Sequence, residues 1–421
     1  MTFCGLDFGT SNSTIGIVAG NRLDLAPLED GQPTLPSAIF FDFEQATAPR
    51  FGRAAMAAYV AGTEGRLMRS LKSVLGTGLI DEDTLLLTRR IGFREVIALV
   101  VRHLKAKAEA AAGRPIDAVV HGRPVHFVDG NPAADARAQA ALEEIARGCG
   151  FRHVSFQYEP IAAALHYESQ IGAEEVALIA DIGGGTSDFS IVRLSPERAR
   201  RAERADDILA NDGARIGGTD FDQLLSLEAV MPHLGYRAAL REKGLMTPNH
   251  WYVDLATWAK INFLYTPAVL GEVRRLAPKA EQPRLLERLL TVLEEHLGHA
   301  LAMSVERAKI ELSGSRSFDI DLSRVEPGLE APATRGRLAE AISEPVGRLG
   351  TLVRECLNQA RLRPDQVDAV FLTGGSTLLP AVRGAILAEV PAARVVEGDK
   401  FGAVGLGLTL DAARRYGAMA A

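Results

Sequence analysis

Two stretches far apart along the chain carry the same succession of apolar and polar positions. Gly5-Leu6-Asp7-Phe8-Gly9-Thr10-Ser11-Asn12-Ser13-Thr14-Ile15 reads as an apolar strand ending in Asp, a turn of Gly, Ser and Thr, and a resumed strand. Ile179-Ala180-Asp181-Ile182-Gly183-Gly184-Gly185-Thr186-Ser187-Asp188-Phe189-Ser190-Ile191 repeats that order 174 residues later. A spacing of domain length, beyond the roughly 20–50 residues of a solenoid repeat, predicts two similar lobes.

Around these hairpins the pattern alternates between the two regular elements. Residues 117–120 and 369–372 read as short buried strands, and 133–149 and 381–389 as helices. Such alternation predicts α/β lobes whose sheets are covered by helices, one over residues 1–177 and one over 178–421. Residues 34–114 and about 228–313 lack the strand–Asp–Gly signature and are predicted to be more helical insertions capping the lobes. In the second, Pro283 opens a predicted helix with leucines at 285, 289, 293, 297 and 301 on one stripe.

Composition narrows the classes. Hydrophobic residues make up 47% and charged residues 24%, an ordinary globular balance. The 47 basic against 53 acidic residues give a net charge of −6, so neither nucleic acid nor an anionic membrane is an expected partner. Cys4, Cys149 and Cys356 are too scattered for a disulfide framework or a metal knuckle and suit a reducing compartment. No apolar run approaches the ~20 residues of a membrane helix, and the chain enters structure without a signal-peptide pattern. The expectation is a soluble, cytoplasmic, monomeric protein.

The two hairpins suit phosphate chemistry. Successive N–H groups of a Gly/Ser/Thr turn form a concave anion nest, and an Asp at the preceding strand end can hold a hydrated Mg²⁺ against the same phosphates. Phe371-Leu372-Thr373-Gly374-Gly375-Ser376-Thr377-Leu378 brings a buried strand into a double glycine, against which a flat group could lie. Gly217-Gly218-Thr219-Asp220 is similar. Glu159 precedes Pro160 at a predicted helix start, so it is either a helix cap or a carboxylate aimed outward. Lys72 is either a solvated surface residue or one of purpose, since only eight of the 47 basic residues are lysine. His296 and His299 read as a surface helical pair, and 198–204 as a solvated turn. Trp251, Tyr252, Trp258, Phe263 and Tyr265 read as lobe core or a partner surface. There is no GxxxxGK[ST], GxSxG or HExxH motif.

Together these residues resemble the nucleotide-binding domain of the seventy-kilodalton heat-shock chaperones, within the actin–hexokinase superfamily. LDFGTSNS looks like the first phosphate motif, ADIGGGTSD the second and FLTGGSTLLP the adenosine motif; IGGTDFD and YEPIAAA are similar to neighbouring signatures. WYVDLATWAKINFLY looks most like the YegD-type branch. The resemblance implies a duplicated actin-like (ribonuclease H-like) fold, binding of ATP or ADP with Mg²⁺, and a protein partner or co-chaperone. It implies that Asp7 and Asp181 hold Mg²⁺ through water. Gly9, Thr10, Ser11, Asn12, Gly183, Gly184, Gly185 and Thr186 would cradle phosphates. Lys72 and Glu159 would position the attacking water, with Asp188 assisting. Gly217, Gly218, Glu306, Lys309, Ile310, Ser313, Gly374, Gly375, Ser376, Leu378 and Asp399 would line the nucleoside. Pro124, Arg137 and Glu159 fall where the family couples the pocket to conformational change.

Two departures modify that picture. Ile310 and Leu378 stand where the family has the two arginines that sandwich adenine. The sequence also runs out just past the last predicted helix, so the family's β-sandwich peptide-binding domain is not expected here, nor unaided foldase activity. The reading is therefore an ATP-binding module with slow hydrolysis. Its alternatives are a non-hydrolysing nucleotide sensor, a small-molecule kinase and an actin-like filament subunit.

Overall fold

The computed structural model describes residues 2–19, 22–44, 48–86, 89–128, 130–201, 203–242, 244–396 and 402–417. Two sheets repeat one topology. The first is built from β1 (Phe3–Phe8), β2 (Asn12–Ala19), β3 (Arg22–Leu25), β4 (Ala118–Arg123) and β5 (His153–Tyr158), in the order β5-β4-β1-β2-β3, with the short strand Leu35–Pro36 also paired to β2. The second holds β6 (Glu175–Ile182), β7 (Ser187–Leu194), β8 (Ile208–Ala214), β9 (Ala369–Thr373) and β10 (Arg394–Val396), in the order β8-β7-β6-β9-β10. In each, three strands form an antiparallel meander and two more join in parallel beside the first strand. Parallel neighbours need a crossover, and the helices Pro132–Gly148 and Pro380–Glu389 lie at the corresponding places in the chain. The echo in sequence is thus a duplication in structure.

Residue alternation explains the burial. Cys4, Leu6 and Phe8 of β1 are buried with Val96, Val100 and Leu104 of the Phe93–Ala112 helix in one core. Ile179, Val192 and Phe371 of the second sheet are buried with Ile161 and Leu165 of the Glu159–Glu168 helix. Ala118 and Val120 of β4 meet Leu408 and Ala412 of the C-terminal helix Ala403–Tyr416.

Contacts divide the chain into two compact units. Residues 1–215, 351–377 and 386–421 form the first and carry both sheets. Residues 216–350 and 378–385 form the second. It contains the helices Gly218–Leu225, Pro283–Glu294 and Gly298–Gly314, and the antiparallel pair Ser317–Asp321 and Glu330–Thr334.

Four expectations are corrected. The segment 34–114 is mixed: Ala38–Asp42 pairs with Arg50–Phe51 and Gly65–Arg69, and Asp83–Leu86 with Arg89–Gly92. The leucine stripe spans two helices, because the chain breaks at His296, whose φ is +54°. His296 stacks on Tyr265 at 4.2 Å, whereas His299 is buried edge-on to Trp258, so they are no surface pair. The supposed solvated turn ends in Arg204, which is completely buried. Its guanidinium donates to both oxygens of the buried Glu168 and to Asp207, and Arg198 donates to Asp207 as well. Of the aromatic cluster, Trp251 and Tyr252 are buried, but Phe263 is 73% exposed.

Candidate functional site

The site of the first unit begins with hairpin register. Asp7 faces Thr14 across β1 and β2, and Asp181 faces Asp188 across β6 and β7, so each aspartate is the last residue but one of its strand. The two turns touch: the Gly184 N–H donates to Ser11 Oγ at 3.1 Å. Ser37 Oγ donates to Gly9 O at 2.6 Å and Gly183 N to Thr186 O at 2.9 Å, which fixes both loops from behind. Gly9, Thr10, Ser11, Gly183, Gly184, Gly185 and Thr186 are partly accessible, and Asn12 is exposed. Backbone N–H groups held in such turns suit an anion.

The adenosine-like turn joins the same place. Ser376 Oγ donates to Gly183 O at 3.0 Å. Gly374 has φ +78°, and a Cβ there would lie 2.3 Å from Ile182 O and 2.8 Å from Asp181 Oδ1. Only glycine lets this turn, which continues into Gly375, sit against Asp181.

Above the strand ends, Lys72 and Glu159 meet. Lys72 follows Ser70, whose φ of +55° turns the chain into a short 3₁₀ segment with Leu71 buried in the core. Lys72 Nζ donates to Glu159 Oε1 at 2.5 Å, both side chains being less than one-fifth exposed. The solvated reading of Lys72 is therefore corrected. Nor does Glu159 cap its helix, where Tyr158 is the N-cap and makes no side-chain cap. At Gly122 a Cβ would lie 3.2 Å from Glu159 Cγ, so this bare position makes room for the carboxylate.

Electrostatics bind the group together. Burial raises the Asp7 carboxyl to about 8, with the neighbouring Glu159 and Asp181 adding to the rise and Lys72 opposing it. Burial and Glu159 raise Asp181 as well. Burial works against the Lys72 charge, but Glu159, Asp7 and Asp188 outweigh it and hold the ammonium charged. One ammonium thus serves a group of carboxylates that lacks positive charge. Oxygen donors short of positive charge fit a hydrated Mg²⁺. Among the described residues no group of three or more His, Cys, Asp or Glu side chains is placed to hold a metal ion.

Glu159, Asp181 and Asp188 line one cleft with Pro124 and Thr373. Arg123 was missed by sequence reasoning. Its guanidinium donates to Pro124 O and Val125 O, each at 3.0 Å, and to Asp135 at 2.7 Å, and lies over the rings of Phe127 and Tyr158. Arg137 is exposed on its helix. The available signal was an arginine directly before Pro124 at a strand end.

In the second unit, Glu306, Lys309, Ile310 and Ser313 fall at helical spacing on Gly298–Gly314. Lys309 is buried and donates to Gly218 O at 3.0 Å and Asp222 Oδ2 at 2.8 Å, tying its helix to Gly218–Leu225. Ser313 Oγ donates to Lys309 O at 3.4 Å. Glu306 is exposed, Ile310 is 59% exposed and Leu378 39%. Gly217 N donates to Asp220 Oδ2 at 2.8 Å, opening the Gly218–Leu225 helix. Asp399 lies outside the described residues.

A family model described as Hsp70 protein matches residues 88–233 and 293–415. The matched segments include Glu159, the 181–188 turn, Gly217, the 306–313 helix face and Gly374 to Leu378, while Asp7, the first turn and Lys72 precede them. Residues 251–265, which carry the likeness to the YegD-type branch, fall between them. The match covers more than half of the chain and agrees with the duplicated sheets, a duplicated actin-like ATPase fold. The chain belongs to the Hsp70 family of ATP-binding chaperone proteins.

Proposed function

We propose that the protein binds ATP with Mg²⁺ and hydrolyses it slowly, and that nucleotide state gates closure of two lobes, 1–177 and 178–421, and the binding of a protein partner. One observation carries the reading: the buried Lys72–Glu159 pair stands among Asp7, Asp181 and Asp188, beside two touching Gly/Ser/Thr turns. In this reading the turns hold the phosphates, and Asp7 and Asp181 hold hydrated Mg²⁺. The ion, when bound, screens the charge of the phosphates. Lys72 fixes the terminal phosphoryl group, and Glu159 orients the water that attacks in line. Such chemistry rests on positioning and charge rather than on a covalent intermediate. The Gly374–Ser376 turn, against Asp181, would take the nucleoside end of the ligand. No helix among the described residues is long and apolar enough to cross a membrane, and a cytoplasmic location is part of the same proposal.

A second reading, a nucleotide sensor without turnover, is favoured by Ile310 and Leu378 in place of the adenine-clamping arginines. Calorimetry with ADP and ATP, beside phosphate release under steady-state conditions, separates the two. Binding with release that depends on Lys72 supports the ATPase, binding without release supports the sensor, and absence of binding refutes both.

A further inference from the structure

A second cleft, of about 530 Å³, lies in the first unit away from the acidic group, between the 28–35 loop, the helix Gly52–Val60 and the helix Phe93–Ala112. That volume lies within the range of small-molecule sites. Its apolar wall is made by Leu28, Leu35 and Phe51, and it stays open because Ala54 and Ala57 present only methyl groups on the exposed face of their helix.

The polar side is specific. His103 stacks on Phe51 with ring centres 4.1 Å apart and planes at 15°, forming a flat aromatic platform. Among the described residues its ring nitrogens have no hydrogen-bond partner. Burial and the nearby Lys107 hold this imidazole below its usual pKa, so at neutral pH it offers one donor and one acceptor. Lys107 stands one turn further along the same helix, exposed and unpaired among the described residues.

Of the two acids in the lining, Glu29 is spent and Asp30 is exposed. Glu29 accepts from the backbone N–H groups of Arg53 and Ala54 at 2.7 and 2.8 Å and pairs with the Arg53 guanidinium. Arg50, half-exposed, pairs with Asp42 through one nitrogen at 3.0 Å and keeps further donors. Arg53 is held by Glu29 and Thr34 and Arg50 by Asp42, so Lys107 is the cation of the lining without a carboxylate partner among the described residues.

We infer that this cleft binds a flat organic anion, such as an aromatic carboxylate or sulfonate, with its ring on the Phe51–His103 platform and its acid group at Lys107 and Arg50. The unpaired ammonium of Lys107 and the spare donors of Arg50 beside an aromatic wall match that chemistry, whereas a neutral sugar finds no dense set of hydrogen-bonding groups.

The test uses 8-anilinonaphthalene-1-sulfonate on the full chain, followed by fluorescence titration and calorimetry. Ala57→Trp fills the cleft from one helix, and Lys107→Glu reverses its charge from the other. Both positions are exposed, so circular dichroism and melting should match the parent. The expected result is saturable one-to-one binding, weakened at least about tenfold in each variant and unaffected by excess ATP with Mg²⁺. Absence of saturable binding, undiminished binding in either variant, or displacement by nucleotide overturns the proposal. It stands or falls independently of the ATPase reading, whose own readout is phosphate release.

Discussion

Lys72 Nζ and Glu159 Oε1, 87 residues apart in sequence, form a 2.5 Å hydrogen bond at the rim of the duplicated turns. The pair joins the segment before the first matched region to the start of the Glu159–Glu168 helix, and it lies within the electrostatic reach of Asp7 and Asp188. Lys72→Ala should therefore lower hydrolysis by orders of magnitude while most nucleotide affinity survives. Glu159→Gln keeps the shape but loses the charge and should also slow turnover. Phosphate release measured beside ADP calorimetry checks both; parental rates in Lys72→Ala would remove the lysine from the mechanism.

Ile310 and Leu378 expose apolar side chains, by 59% and 39%, at positions where the sequence resemblance implies arginines. They can bury a base face but lack the cation–π attraction of a guanidinium, about 0.5–2 kcal/mol each. Restoring both, Ile310→Arg with Leu378→Arg, should tighten ATP binding by roughly 5- to 700-fold. Calorimetry decides it: an unchanged affinity would place the base elsewhere.

Arg204, Glu168 and Asp207 are an ion group almost without solvent contact. Removing one member strands the others, so Arg204→Met should cost about 3–5 kcal/mol. Replacing all three by apolar residues of similar volume should recover part of that loss, with Arg198 left to Glu174 alone. Urea unfolding of the single and triple variants measures the difference; equal destabilisation in both would show that the charges themselves stabilise the fold.

His121 is buried against Phe156, with Nδ1 donating to Gly122 O at 2.8 Å. Burial above all, with the charge of Lys72, lowers its pKa to about 4 from 6.5, although its bond to the Gly122 carbonyl favours the charged form. Between these values the unfolded chain takes up the proton and the folded chain does not. Stability should fall as pH drops from about 6.5 towards 4, by up to about 3 kcal/mol. His121→Asn should flatten that part of the profile. Denaturant midpoints between pH 7 and 4, with imidazole NMR shifts, provide the check; a His121 signal titrating near 6.5 would contradict it.

Much of the molecule was legible in the chain. The hairpins, the strand-terminal aspartates, the buried strands at residues 118 and 369 and the helix after Glu159 all follow from local periodicity and turn chemistry. These signals need only a few consecutive residues, because strand period, Gly-rich turns and Pro at a helix start act over less than about ten positions.

By itself the sequence determined the Asp–Gly hairpins and that they occur twice, since alternation and turn residues are properties of neighbours in the chain. Tertiary structure alone decided which charges are buried and whom they meet. Sequence left Lys72 open between solvated surface and function and read 198–204 as a solvated turn, yet Lys72 and Arg204 are placed by Glu159 and Glu168, which folding brings to them from 87 and 36 residues away. At His296 the helix breaks with φ +54° and the imidazole stacks on Tyr265, while the leucine spacing runs through the break unchanged. A side chain's hydropathy records its own cost of leaving water. Whether that cost is met depends on partners brought close by the fold, and local sequence pattern does not encode that distance.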